Sequence, residues 1–149
     1  DGALQAQHFL DTVKAPIRKA ELLVLDFEPN PGGSSMSLED AELFVHVVQE
    51  QTGKWPGLYS GSYIKALLGT ARDTLLANCW FWLAQYGPLA KVPPAWPGWT
   101  LWQYSDGTVG PDPRPVPGVG HCDLDVFNGD EAALQAFWTS GISPIVGTA

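Results

Sequence analysis

The chain has 149 residues, 45% hydrophobic and 16% charged, a length and balance that specify about one globular domain rather than a disordered segment. Its eight Lys and Arg are unclustered and face 16 Asp and Glu, leaving a net charge of -8. That balance argues against nucleic acid or anionic membrane as a partner, and no apolar run approaches the roughly 20 residues of a membrane span.

Seven Trp, 13 Pro and 16 Gly are the unusual features of the composition. Aromatics in a lightly charged chain serve either a Trp-rich core or a surface that stacks sugar rings, and each Trp is open to both readings. Cys79 and Cys122 are too few for a disulfide scaffold. No signal-peptide pattern opens the chain, which starts at Asp1 rather than Met, so a leader already removed stays open.

In chain order, Ala6, Phe9, Leu10 and Val13 recur at helical spacing and predict a helix from Ala3 to Val13. Leu22 to Glu28 (LLVLDFE) reads as a buried strand, stopped by Pro29. After a Gly/Ser loop, Ser37-Leu38-Glu39-Asp40 has the form of a capping box. The helix it opens carries Ala41, Phe44, Val45 and Val48 on one face and stops at Gly53. Gly57 to Gly61 (GLYSG) is a short strand, and Tyr63 to Ala77 is helical with a break expected near Gly69. Cys79 to Gly87 (CWFWLAQYG) is an aromatic strand; the prolines of PLAKVPPAWPG then exclude a crossover helix before the next strand, Trp99 to Ser105. A Gly/Pro-rich loop, Asp106 to His121, leads to the last strand in CDLDVFNG, and Asp130 caps a final helix. This alternation implies an α/β fold on a largely parallel sheet of five strands, within one domain spanning 1–149.

Two acids separated by one strand residue face the same side, so Asp26 and Glu28 share a face at the carboxyl end of their strand, where α/β folds carry their chemistry. Carboxylates held close raise one another's proton affinity, leaving one as a general acid and the other ionised. Glycosidic cleavage uses such a pair, about 5–5.5 Å apart for retention and roughly 6.5–9.5 Å for inversion. The alternative is a helix-capping Asp beside an exposed loop Glu; a metal site lacks a nearby His. Asp123 and Asp125 repeat the spacing, and if the last strand runs antiparallel their end meets the same rim. Aromatics closing LYSG, LAQYG and LWQYS would then line it.

The succession LDFE, GLYSG, WLAQYG and WTLWQYSDGTVGPDPRPVPGVGHCDLDVFNG resembles the family-25 glycoside hydrolases, the Chalaropsis-type lysozymes, over nearly the whole chain from Leu4. Those enzymes cut the link between N-acetylmuramic acid and N-acetylglucosamine in peptidoglycan. The resemblance implies an incomplete TIM-like (β/α)-barrel of about five strands with the last strand antiparallel. It makes Glu28 the general acid/base, Asp26 its partner at the substrate N-acetyl group, and Asp123 a further acid. Asp125 stands where the family usually has Asn. Tyr59, Trp82, Gln85, Tyr86, Trp102 and Gln103 fall on the strands that line the sugar groove. Peptidoglycan or a related glycan is the implied partner and the extracellular space the implied location; neither metal nor cofactor is implied.

The family pattern opens with a strand ending in a catalytic D-x-S and two further strands, and none of these is found in this sequence. Five strands are too few to close a barrel, so exposed edges and an apolar inner face are expected, with a second copy of the chain as cover. Three outcomes stay open: a weakened hydrolase, a non-catalytic glycan-binding domain, or a piece of a larger lysozyme. Cys79 and Cys122 each begin a strand, but with the last strand antiparallel they fall at opposite ends of the sheet, too far apart to bridge, and are expected as free thiols. His121 at the rim reads as a loop histidine, with a ligand or proton-relay role as the alternative.

Overall fold

The computed structural model describes residues 1–13, 21–111 and 115–145; part of the predicted loop from Asp106 to His121 therefore lies outside the described residues. In chain order the elements are α1 (Gly2–Val13), β1 (Val24–Asp26), α2 (Leu38–Thr52), β2 (Gly57–Ser60), α3 (Ser62–Leu68), a 3₁₀ turn (Leu75–Asn78), β3 (Trp80–Ala84), β4 (Leu101–Ser105), β5 (Leu124–Phe127) and α4 (Glu131–Ser140). The strands form one sheet in sequence order, β1-β2-β3-β4-β5. The first three pairings are parallel and the last, β4 with β5, is antiparallel. The sheet is not closed, and β1 and β5 form its edges.

The ends of α2 follow from local chemistry. Ser37 adopts the extended cap conformation and its hydroxyl accepts from the Asp40 amide at 3.1 Å. Gly53, at φ +71°, closes the helix in the left-handed region. Between these ends Ala41, Phe44, Val45 and Val48 are buried. Phe9 of α1 lies 5.7 Å from Phe44, and a Cβ on Gly2 would fall 1.8 Å from the Asp40 carbonyl oxygen, so α1 packs backbone-close on α2. The predicted helix from Tyr63 to Ala77 is two pieces. Gly69 at φ +55° ends α3, and Thr74 caps the separate 3₁₀ turn through the Leu76 amide.

Alternation along each strand sorts side chains between two faces. Leu25, Phe27, Leu58, Phe81 and Leu83 point to the helix-covered side and join Ala6, Val45, Val48 and Ile64 in the main core. The other face carries Asp26, Tyr59 and Trp82, which are register neighbours, with Leu101 and Phe127 continuing the row. At the amino end of this second face, α4 contributes Phe137, 1% exposed, which meets Trp80 edge-on at 5.1 Å and stacks on Phe127 at 5.6 Å. Gly57 lets the Trp80 ring lie flat there, since a Cβ on it would sit 2.3 Å from the indole. Toward the carboxyl ends that face is exposed at Asp26, half-buried at Tyr59 and Trp82, and buried at Gln103.

Candidate active site

The predicted strand Leu22–Glu28 narrows to a ladder over Val24–Asp26, but its direction carries on: the Phe27 amide donates to the Tyr59 carbonyl at 2.8 Å. Phe27 is fully buried, with its ring 5.0 Å from Tyr63. Its carbonyl accepts from the hydroxyl of Ser60, also fully buried, at 2.6 Å. Three anchors on one residue thus fix the backbone between Asp26 and Glu28. Both acids emerge on the opposite, exposed side, as the i, i+2 spacing requires.

Desolvation raises Asp26 above its ordinary value; Glu28 is raised by desolvation first and by the Asp26 charge second. The two carboxyls are coupled, so ionisation of one holds the proton on the other. Because β5 runs antiparallel, its start reaches the same rim. The Tyr86 phenol is raised by burial and by the charges of Asp123, Asp106, Glu28 and Asp125, so this one side chain is surrounded by acids from three segments of the chain. Tyr59 is raised by burial and then by Glu28, Tyr86, Asp123 and Asp26. Asp26, Glu28, Tyr59, Tyr86, Asp123 and Asp125 therefore lie within electrostatic reach of one another at one rim of the sheet.

Two further predicted groove residues join them. The Trp82 indole meets Tyr59 edge-on at 5.2 Å and donates from Nε1 to Asp125 Oδ1 at 2.6 Å. Gln103, 4% exposed, accepts the Tyr59 hydroxyl at 2.8 Å. Asp125 is raised by desolvation and by Asp123, an effect the Trp82 bond opposes.

Gln85 and Trp102 are not brought to this face. Trp102 is in register with Leu83, packs against the helix-side core, and donates from Nε1 to the Gln85 carbonyl at 2.7 Å. Tyr104 follows it, its ring 6.1 Å away. The Gln85 amide is taken up by the Lys65 ammonium of α3 and by the Leu89 carbonyl. A one-residue step in parity separates these side chains from Gln103 and Tyr86, which lie on the face that carries the acids.

Asp106 was not among the expected residues. It reads as the Asp-Gly of a turn, and it is one, accepting from the Thr108 and Val109 amides at 2.7 and 2.6 Å. These bonds, led by Val109, hold its carboxyl below the ordinary value, so it stands as a fixed negative charge beside Tyr86. His121 places Nδ1 2.7 Å from the Gly107 carbonyl, a contact that needs the proton on Nδ1 and ties the ring to the loop. Both cysteines are free, Cys79 buried and Cys122 half-buried. Among the described residues no group of three or more His, Cys, Asp or Glu is arranged to hold a metal ion. A cavity of about 490 Å³ lies at the amino ends of the strands beside Trp80, Trp96 and Ile145, at the other end of the sheet from the acids.

A largely parallel α/β sheet with acids and aromatics at its carboxyl ends defines the class: part of a barrel of the kind that carries glycoside-hydrolase chemistry at that rim. The profile of the glycosyl hydrolases family 25 matches residues 1–112, and the chain belongs to that family. It is 31% identical to Lysozyme M1 of Streptomyces globisporus over 156 residues, which take in 91% of this chain and 48% of that protein. The chain thus spans about half the length of that relative. Among solved structures it is similar to the muramidase from Acremonium alcalophilum (29% identity, TM-score 0.69, 93% of this chain and 67% of that one). The bacterial lysozyme from Streptomyces coelicolor matches comparably (28%, TM-score 0.70, 93% and 66%), as does a family GH25 lysozyme from Aspergillus fumigatus (27%, TM-score 0.69, 94% and 67%). Asp26, Glu28, Tyr59, Trp82, Tyr86 and Gln103 lie within the matched profile, and Asp123 and Asp125 beyond it.

Proposed function

We propose that this chain is the carboxylate-bearing part of a peptidoglycan hydrolase acting on the bond between N-acetylmuramic acid and N-acetylglucosamine. The observation that carries the reading is the Asp26–Glu28 pair, which shares one exposed face with Glu28 raised by burial and by its neighbour's charge. Glu28 gives its proton to the glycosidic oxygen as the bond to the anomeric carbon breaks, and as a carboxylate it then takes a proton from the incoming water. Asp26 stays ionised and holds the N-acetyl amide of the sugar, while Asp123 adds charge that stabilises the positive anomeric centre. Tyr59, Trp82 and Tyr86 supply flat surface for the sugar rings. Gln85 and Trp102 act indirectly, behind the cleft wall.

The named relatives, lysozymes and muramidases, support this reading, and with it a place outside the cell on cell walls. Among the described residues β1 forms an edge of the open sheet, and an edge strand supports self-association of the chain as one catalytic-domain unit.

The test is clearing of a bacterial cell-wall suspension by the purified chain and by Glu28→Gln. Clearing by the wild type that the variant loses supports the reading, and equal clearing by both removes Glu28 from its role. The open sheet favours a second reading, a domain that binds glycan without cutting it. That reading expects saccharide binding by both proteins and clearing by neither.

A further inference from the structure

Four side chains from four neighbouring strands close a ring on the open face. Tyr59 of β2 donates to Gln103 of β4 at 2.8 Å, and Gln103 is the register partner of Asp125 in β5. Asp125 accepts the Trp82 indole N–H of β3 at 2.6 Å, and Trp82 returns to Tyr59 edge-on at 5.2 Å. An indole held by a carboxylate on one side and a phenol edge on the other has lost the rotation about its side-chain bonds that a surface Trp keeps. Its half-exposed ring lies one register step from Tyr59, which is the register partner of Asp26.

We infer that Asp125 and Gln103 are positioning residues that fix a Tyr59–Trp82 corner as the platform for one N-acetylhexosamine ring beside the Asp26–Glu28 pair. The inference rests on the glycosidase reading and adds what that reading lacks, the group that orients the sugar plane. A pyranose offers an apolar face of C–H groups, which an indole matches in size and polarity. Ordering the indole before the sugar arrives removes a rotamer cost from the binding step. The charged acceptor makes the N–H bond stronger than a neutral one would.

What the bond requires of residue 125 is an acceptor oxygen, not a charge, and that requirement separates positioning from electrostatics. Asp125→Asn keeps the oxygen; Asp125→Ala removes it. Two measurements on the whole chain decide. The first needs no ligand: in ¹H–¹⁵N spectra, the Trp82 indole resonance, assigned by its loss in Trp82→Phe, is expected downfield and slow to exchange in wild type and Asp125→Asn. It is expected to shift and exchange faster in Asp125→Ala. The second is calorimetric titration with N,N′,N″-triacetylchitotriose, where Asp125→Ala is expected to bind about tenfold more weakly and Asp125→Asn within about twofold of wild type.

An unshifted indole resonance in Asp125→Ala overturns the clamp. A weakening in Asp125→Asn as large as in Asp125→Ala overturns positioning in favour of charge. If the indole responds as expected but the wild type neither binds the trisaccharide nor clears cell walls, the glycan reading itself fails and the platform falls with it. If it clears walls without binding the trisaccharide, the hydrolase reading stands and the platform assignment is overturned.

Discussion

Replacing Ser60 by alanine tests the claim that buried anchoring of Phe27 is what aims Asp26 and Glu28. Ser60 is fully buried, and its hydroxyl donates at 2.6 Å to the Phe27 carbonyl, which is the last backbone acceptor before Glu28. Water cannot replace the lost donor without entering the space between β1 and β2. An orphaned buried acceptor costs about 1–3 kcal/mol. Unfolding entropy of about 2.1 cal/mol/K per residue over a chain of this length gives about 0.3 kcal/mol/K, so each kcal/mol lowers Tm by about 3 °C. The expected loss is therefore about 3–10 °C, read by near-ultraviolet circular dichroism, for which the seven Trp give ample signal. Relaxation of the freed carbonyl would also let Glu28 swing, so wall clearing should fall more than the folded fraction does. A Tm within 1 °C of wild type would refute the anchoring argument, because it would mean that the Phe27 carbonyl is satisfied without Ser60.

Two further outcomes follow from the ionisable groups. Asp26 and Glu28 are raised from ordinary values of 3.8 and 4.5, so just above those values the native state holds protons that the unfolded chain has released. Their contribution to stability therefore declines as pH rises through that window, the reverse of a salt-bridged acid. Asp26→Asn removes one of these groups and the charge acting on the other; Tm measured against pH should decline less steeply from pH 4 upward, and a curve parallel to wild type would contradict the coupling. With a thiol-reactive chromophore, one cysteine per native chain should react readily. Cys79 is 2% exposed and burial pushes its thiol up to about 12, so Cys122 should be the reactive one, and Cys122→Ser should abolish the fast phase.

Much of this architecture was legible because its signals are local. The Ser37 cap and the Gly53 stop are set by side-chain and backbone chemistry within one turn, and they bound α2 as expected. The prolines after Gly87 remove the crossover helix, and the structure passes from β3 to β4 without one. The shared face of Asp26 and Glu28 follows from pleat alone. What was not legible depends on register between strands. From Trp99 to Tyr104 large side chains occupy both parities, so no alternation tells which of Trp102 and Gln103 faces the acids; pairing with Leu83 and Ala84 decides it. Likewise, the capture of Gln85 by Lys65 spans 20 residues and has no local pattern. Asp106 was hidden by its own turn: the bonds that make it a turn residue also keep it charged beside Tyr86.

The agreement between strand order and sequence order bears on how the molecule is made. As the chain emerges during synthesis, each new strand can dock on the edge its predecessor has just left free, without waiting for distant partners. The acid pair is laid down with the first strand and the clamp is assembled piece by piece across the next three, one side chain at a time. The antiparallel strand then brings Asp123 and Asp125 to the same rim. The strands β1 to β4 can thus pair before the chain holds Asp123 and Asp125 beside Asp26 and Glu28.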